Sequence, residues 1–126
     1  MRIAGNAPVN PEAEAFFLSR QAHDEVGTCF RESLRKLGEY EVLGDIRSFG
    51  APYAVTAQVV FGGASDLSFV YYRLNARDRD IAFRTGGETT PIGPDWVRLE
   101  LFRAHWPQVD LKHWSLRAYD FARTGK

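Results

Sequence analysis

The sequence is poor in the features that most directly fix a protein's class. It contains a single cysteine, Cys29, so an intrachain disulfide and a cysteine-based metal site are both excluded. A lone cysteine is typical of a reducing compartment. No stretch approaches the roughly 18 apolar residues that span a bilayer, and residues 1–17 lack the apolar centre of a signal peptide. We therefore predict a cytoplasmic protein that does not associate with a membrane.

The chain also lacks an excess of charge of either sign. Its 16 basic residues balance its 16 acidic residues, so the net charge is zero. A neutral protein has no general attraction to nucleic acid or to an anionic membrane. By contrast, the hydrophobic fraction of 44% and the aromatic fraction of 13% are sufficient for a packed core. The length of 126 residues predicts one domain, 1–126, with residues 1–9 as an irregular lead-in.

The clearest pattern lies between residues 40 and 85. Four short stretches carry β-branched or aromatic residues at period two, and Gly, Pro, Asn or Asp residues separate them. We predict four strands in an antiparallel meander, over residues 40–49, 53–61, 67–74 and 81–85. Gly62 to Asp66 is interpreted as the turn before the third strand.

A long helix is predicted before the meander. Asn10 is a suitable N-cap and Pro11 suits the first helical position. Apolar residues then recur at helical spacing as far as Leu37, and Gly38 is a natural stop. We predict one continuous helix over residues 10–37.

The C-terminal third is ambiguous. After a loop at residues 86–95, residues 95–106 fit either a helix or a strand, and the helix is preferred. Asp110 is a candidate cap for a final helix over residues 111–123, although alternation around Trp114 leaves a strand possible. The result is an α+β protein: a long N-terminal helix on a four-stranded meander, with two further C-terminal elements. In outline this resembles the cystatin-like and NTF2-like architectures, which host many activities and so imply no function.

One face of the third predicted strand combines aromatic and arginine side chains. Phe69, Tyr71 and Arg73 share this face, and Arg84 on the predicted fourth strand lies beside it. Such a face is typical of a protein interface, of a surface that stacks single-stranded bases, or of a core that other elements cover. Trp106 and Trp114 are further candidate anchors for a partner.

A weaker group of residues would serve catalysis. His23 and Asp24 lie on the predicted first helix, and Tyr72 lies on the third strand. His23 could act as a general base with Tyr72 as its partner. These residues would line a pocket between that helix and a concave sheet. No catalytic motif of known spacing is present, and we predict no metal or cofactor.

The sequence thus leads to one preferred function and two alternatives. The preferred function is a non-enzymatic protein interaction module, such as an adaptor, an inhibitor or an assembly subunit, that self-associates as a homodimer. The first alternative is a small-molecule-binding or enzymatic domain that uses the pocket at His23, Asp24 and Tyr72. The second is single-stranded nucleic acid binding on the sheet face, which the neutral charge disfavours.

Overall fold

The structure, a computed structural model, describes residues 8–101 and 110–126. This part of the chain forms helices, strands and one short 3-10 helix, Ile46–Ser48. The α-helices are α1 (Pro11–Leu18), α2 (Asp24–Ser33), α3 (Ala76–Arg84) and α4 (Leu111–Thr124). The strands are β1 (Glu41–Leu43), β2 (Tyr53–Thr56), β3 (Val59–Ser65), β4 (Phe69–Arg73) and β5 (Trp96–Glu100). The α+β class is therefore confirmed.

The strands form one antiparallel sheet in which each strand pairs with the next along the chain. The predicted antiparallel order is confirmed, but the sheet has five strands rather than four. The strand predicted over residues 40–49 is shortened to β1, because Ile46–Ser48 forms the 3-10 helix. The predicted strand at 53–61 divides at a two-residue turn into β2 and β3. Ala57 and Gln58 in that turn have φ of 50° and 64°, which is the backbone geometry of a tight hairpin. Because such turns favour Gly and Asn, the residue types here give no sign of the hairpin.

The Gly-rich stretch predicted as a turn instead belongs to β3. A Cβ atom on Gly63 would lie 2.5 Å from the ring of Phe17, and one on Gly62 would lie 3.2 Å from the ring of Phe30. The two glycines let aromatic rings from helices approach both faces of the strand closely. Their function is close packing rather than chain reversal.

The single long N-terminal helix is in fact two helices. α1 ends at Leu18 and α2 begins at Asp24. Between them, Gln21 and Ala22 form isolated bridges with Gly50 and Asp66. These backbone hydrogen bonds replace the ones that a continuous helix would make, so the apolar periodicity spans a break that only tertiary pairing reveals.

Asn10 precedes α1 as predicted, but its side chain does not cap the helix. Its carboxamide instead accepts a hydrogen bond from the backbone N–H of Val60 and donates one to the carbonyl of the same residue, both at 2.9 Å. Asn10 is itself buried. It fastens the start of α1 to β3 by satisfying two backbone groups beyond the last pairing with β4.

Two of the three elements after β4 differ in type from the prediction. Residues predicted as the fourth strand lie in α3, because the side chain of Asn75 accepts the N–H of Asp78 at 2.8 Å and starts a helix there. The sequence favours a helix over residues 95–106, but the described part of this segment forms β5. The final helix is confirmed as α4, and the Asp110 carboxylate accepts the N–H of His113 at 3.1 Å.

Helices cover both faces of the sheet. On one face, the Phe17 ring of α1 lies 5.5 Å from Tyr71. On the other, Phe30 of α2 lies 6.2 Å from Tyr72, and Tyr119 of α4 lies 5.8 Å from Phe61. Phe61 is the extra residue of a bulge between β2 and β3. The sheet is therefore the middle of three layers, and adjacent residues of β4 point into two different apolar interfaces.

Candidate functional site

The predicted anchors on β4 and α4 are placed mostly inside the protein. Tyr71 is 1% exposed and Trp114 is 7% exposed. The sheet face that includes Tyr71 is covered by α1, with Phe16 and Phe17 packed against the tyrosine ring. Phe69 is half-buried beneath the guanidinium of Arg98, which lies 4.0 Å from the ring centre. Tyr71, at the centre of this face, is therefore part of the core.

The two arginines among the predicted anchors contact different helices. The guanidinium of Arg73 lies 4.4 Å from the ring centre of Phe121 on α4. Arg84 is exposed on α3 and pairs with Asp80 at 3.3 Å. Trp106 lies outside the described residues. A shared binding role for these side chains therefore stays a prediction.

The candidate catalytic residues are also separated. His23 is the N-cap of α2, where its Nδ1 accepts the backbone N–H of Glu25 at 3.2 Å. Asp24 is exposed in the first turn of the same helix, while Tyr72 is buried beneath it. The Phe17 and Phe30 rings fill the space between the helices and the sheet that the predicted pocket would occupy.

Tyr72 takes part in a buried chain of hydroxyl groups. Its phenol oxygen lies 2.8 Å from Ser115 Oγ, which lies 2.7 Å from Ser33 Oγ, and the Ser33 hydroxyl donates to the Phe30 carbonyl at 2.6 Å. Burial raises the pKa of Tyr72 to about 12, although its hydrogen bond to Ser115 opposes this effect. The chain joins α2, β4 and α4, and it holds Tyr72 as a neutral phenol.

A surface that the sequence did not indicate surrounds the connection between α1 and α2. Three large apolar side chains are exposed there: Leu18 is 65% exposed, Phe49 is 54% exposed and Leu67 is 72% exposed. Leu18 lines an open depression together with Ser48, Gly50 and Asp66. Ser48 and Gly50 flank Phe49 in the chain, and Asp66 precedes Leu67. We call Leu18, Phe49 and Leu67 the apolar rim.

Backbone hydrogen bonds hold the loops that carry the apolar rim. The N–H of Ala22 donates to the carbonyl of Phe49 at 2.9 Å. The N–H of Asp66 donates to the carbonyl of Gln21 at 2.7 Å, and the N–H of His23 donates to the carbonyl of Asp66 at 2.8 Å. Residues 20–23 thus fasten two loops to one another and present the apolar rim on a fixed support.

Phe49 combines an exposed ring with an unfavourable backbone conformation. Its φ is 58°, in the left-handed region that costs a residue other than glycine about 1–2 kcal/mol. A hydrogen bond of the next residue stabilises this conformation: the N–H of Gly50 donates to the carbonyl of Asp45 at 2.6 Å. The monomer therefore bears both a strained backbone and an exposed aromatic ring at the same position.

The apolar rim is bordered by charges of both signs. Arg20 is exposed, and its guanidinium lies 4.4 Å from the ring centre of Phe16. Arg47, Asp45 and Asp66 are also exposed, on the loops beside the rim. A surface of this composition is complementary to a partner that offers the same mixture.

Comparisons with protein-family models, with curated proteins and with solved structures found no match to this chain. Within residues 8–101 and 110–126, no helix is both long and apolar enough to cross a membrane. The same residues hold no group of three His, Cys, Asp or Glu side chains placed to bind a metal ion.

Proposed function

We propose that this protein is a non-enzymatic interaction module, an assembly subunit that associates with a second copy of itself through the apolar rim. The observation that carries the proposal is Phe49, whose ring is exposed and whose backbone is held in a strained conformation. Strain and exposed apolar surface both lower the stability of a monomer, and both are typical of binding surfaces. A partner that covers the ring would recover part of that cost.

The charges around the rim favour a second copy as the partner. In a two-fold interface the same surface meets itself, so a patch of one sign would repel its own copy. Here Arg20 and Arg47 border the same rim as Asp45 and Asp66, so a second copy would bring both basic and acidic groups to the interface. The cytoplasmic location inferred from the single cysteine remains a prediction that fits this role.

Sedimentation velocity over a range of protein concentrations tests the proposal. Phe49→Asn removes the ring and suits the left-handed backbone, because Asn adopts that conformation more readily than Phe. The matched control is Phe83→Gln, which removes a phenylalanine that is 37% exposed on α3, a helix that carries no residue of the rim. We expect the wild type and the control to form dimers and Phe49→Asn to remain monomeric with an unchanged far-UV spectrum.

Two results would reject the proposal. A wild-type protein that stays monomeric at every concentration would exclude self-association. A dimer that survives Phe49→Asn but dissociates with Phe83→Gln would place the interface on α3 instead.

A further inference from the structure

A separate cavity lies where the end of α2 meets the start of α4. It has a volume of about 380 Å³, within the range of about 300–1,000 Å³ typical of small-ligand pockets. Its apolar lining comes from Leu37 and Leu116, and Leu116 is 47% exposed. This cavity is distinct from the apolar rim, and its use does not depend on the proposed self-association.

The polar lining of the cavity is mainly basic. Arg35, Lys36 and Lys112 contribute three positive charges, against one negative charge from Glu32. Within the part of the chain that the structure describes, the ion pairs of basic side chains involve other residues. The three cations outnumber the one carboxylate of Glu32, so this part of the surface favours an anionic ligand.

The position of Lys112 strengthens this argument. Lys112 is the second residue of α4, at the end of the helix where the backbone dipole is positive and a cation is disfavoured. The first turn of α4 holds no acidic residue, although the Asp110 carboxylate precedes it as the cap. Arg35 and Lys36, by contrast, follow the negative end of α2, where cations are ordinary. Among residues 8–101 and 110–126, Lys112 forms no ion pair that would offset this placement.

Ser33 also lines the cavity, but its hydroxyl is committed within the fold. It donates its hydrogen to the Phe30 carbonyl and accepts from Ser115 Oγ. An anionic head would therefore be bound by the basic side chains and not by this hydroxyl. The cavity thus brings together a basic group of side chains and an apolar surface.

We propose that this cavity binds a small amphiphilic anion, with its carboxylate or phosphate head among Arg35, Lys36 and Lys112 and its apolar body against Leu37 and Leu116. The head would form charge-assisted hydrogen bonds, which are stronger than neutral ones. The apolar body would cover part of the exposed surface of Leu116.

NMR titration of the full chain with octanoate and with octyl phosphate tests the proposal, and comparing the two shows which head is preferred. We expect saturable shifts confined to residues 32–37 and 111–116. Acetate and inorganic phosphate supply the head alone, and octanol supplies the body alone, so each should bind at least about tenfold more weakly. Added salt should weaken binding of the charged ligands.

Variants assign the effect to the cavity. Lys112→Gln and Arg35→Gln should each weaken octanoate binding about tenfold, since each removes a charge-assisted hydrogen bond. Arg77→Gln, at an exposed arginine of α3, is the matched control and should leave binding unchanged. The proposal is overturned if octanol binds as well as octanoate, if both cavity variants retain wild-type affinity, or if the shifts centre on the apolar rim.

Discussion

The buried phenol of Tyr72 makes the stability of this protein sensitive to alkaline pH. Burial raises the pKa of Tyr72 to about 12, compared with about 10 in the unfolded chain. The fold therefore favours the neutral phenol. Its contribution is fully present below pH 10, and it is lost as the pH rises from about 10 towards 12, because the unfolded chain releases its proton first.

The size of this effect follows from the difference between the two pKa values. Two units correspond to about 3 kcal/mol of unfolding free energy when the titration is complete. At pH 11 the unfolded chain is largely ionised while the folded chain is not, so we expect a loss of about 1 kcal/mol relative to pH 9. Tyr72→Phe has no proton to release, and it should remove this part of the alkaline slope.

Urea unfolding at a series of pH values from 8 to about 11.5 measures the slope. Tyr71 is also buried and its pKa is also raised, so the wild type retains a second alkaline contribution. The difference between the wild type and Tyr72→Phe isolates Tyr72, and Tyr40→Phe, at a half-buried tyrosine, is the control. Equal slopes for the wild type and Tyr72→Phe would show that the phenol is not held neutral by the fold.

Three other substitutions test the packing around the sheet by urea unfolding. Asn10→Ala leaves the backbone N–H and carbonyl of Val60 without their partner, so we expect the free energy of unfolding to fall by about 2–3 kcal/mol. A decrease of less than about 0.5 kcal/mol would show that these two hydrogen bonds do not stabilise the fold. Gly63→Ala places a Cβ atom 2.5 Å from the Phe17 ring and should cost about 1–3 kcal/mol; an unchanged midpoint would contradict the close approach. Ser115→Ala interrupts the buried hydroxyl chain and should cost about 1–3 kcal/mol, whereas a neutral result would mean that water replaces the hydroxyl.

The meander and the final helix were predictable from the sequence because local signals fix them. Period-two alternation and the breaks between strands predict an antiparallel order, and the cap at Asp110 predicts α4. The hairpin between β2 and β3 was not predictable, since its turn residues, Ala57 and Gln58, are unusual at positive φ. The pattern of residues 81–85 predicts a strand, whereas the N-cap at Asn75 begins a helix that continues to Arg84.

The candidate surface depends on contacts that no local pattern contains. The sequence predicts a helix that continues past Leu18, whereas the pairing of residues 21 and 22 with distant loops ends α1 at Leu18, whose side chain is exposed. β4 is apolar on both faces, so the sequence could not show which tyrosine lies inside. The structure answers that both Tyr71 and Tyr72 do, because helices cover the sheet on each side.

The central claim is that the apolar rim of one protomer contacts the same rim of another. Isotope-filtered NOE spectra of a mixture of labelled and unlabelled protein detect contacts between protomers directly. We expect intermolecular signals between the Phe49 ring and the methyl groups of Leu18 and Leu67. Intermolecular signals that involve Phe83 or Leu116 but not Phe49, or the absence of any such signal in a concentrated sample, would contradict the claim.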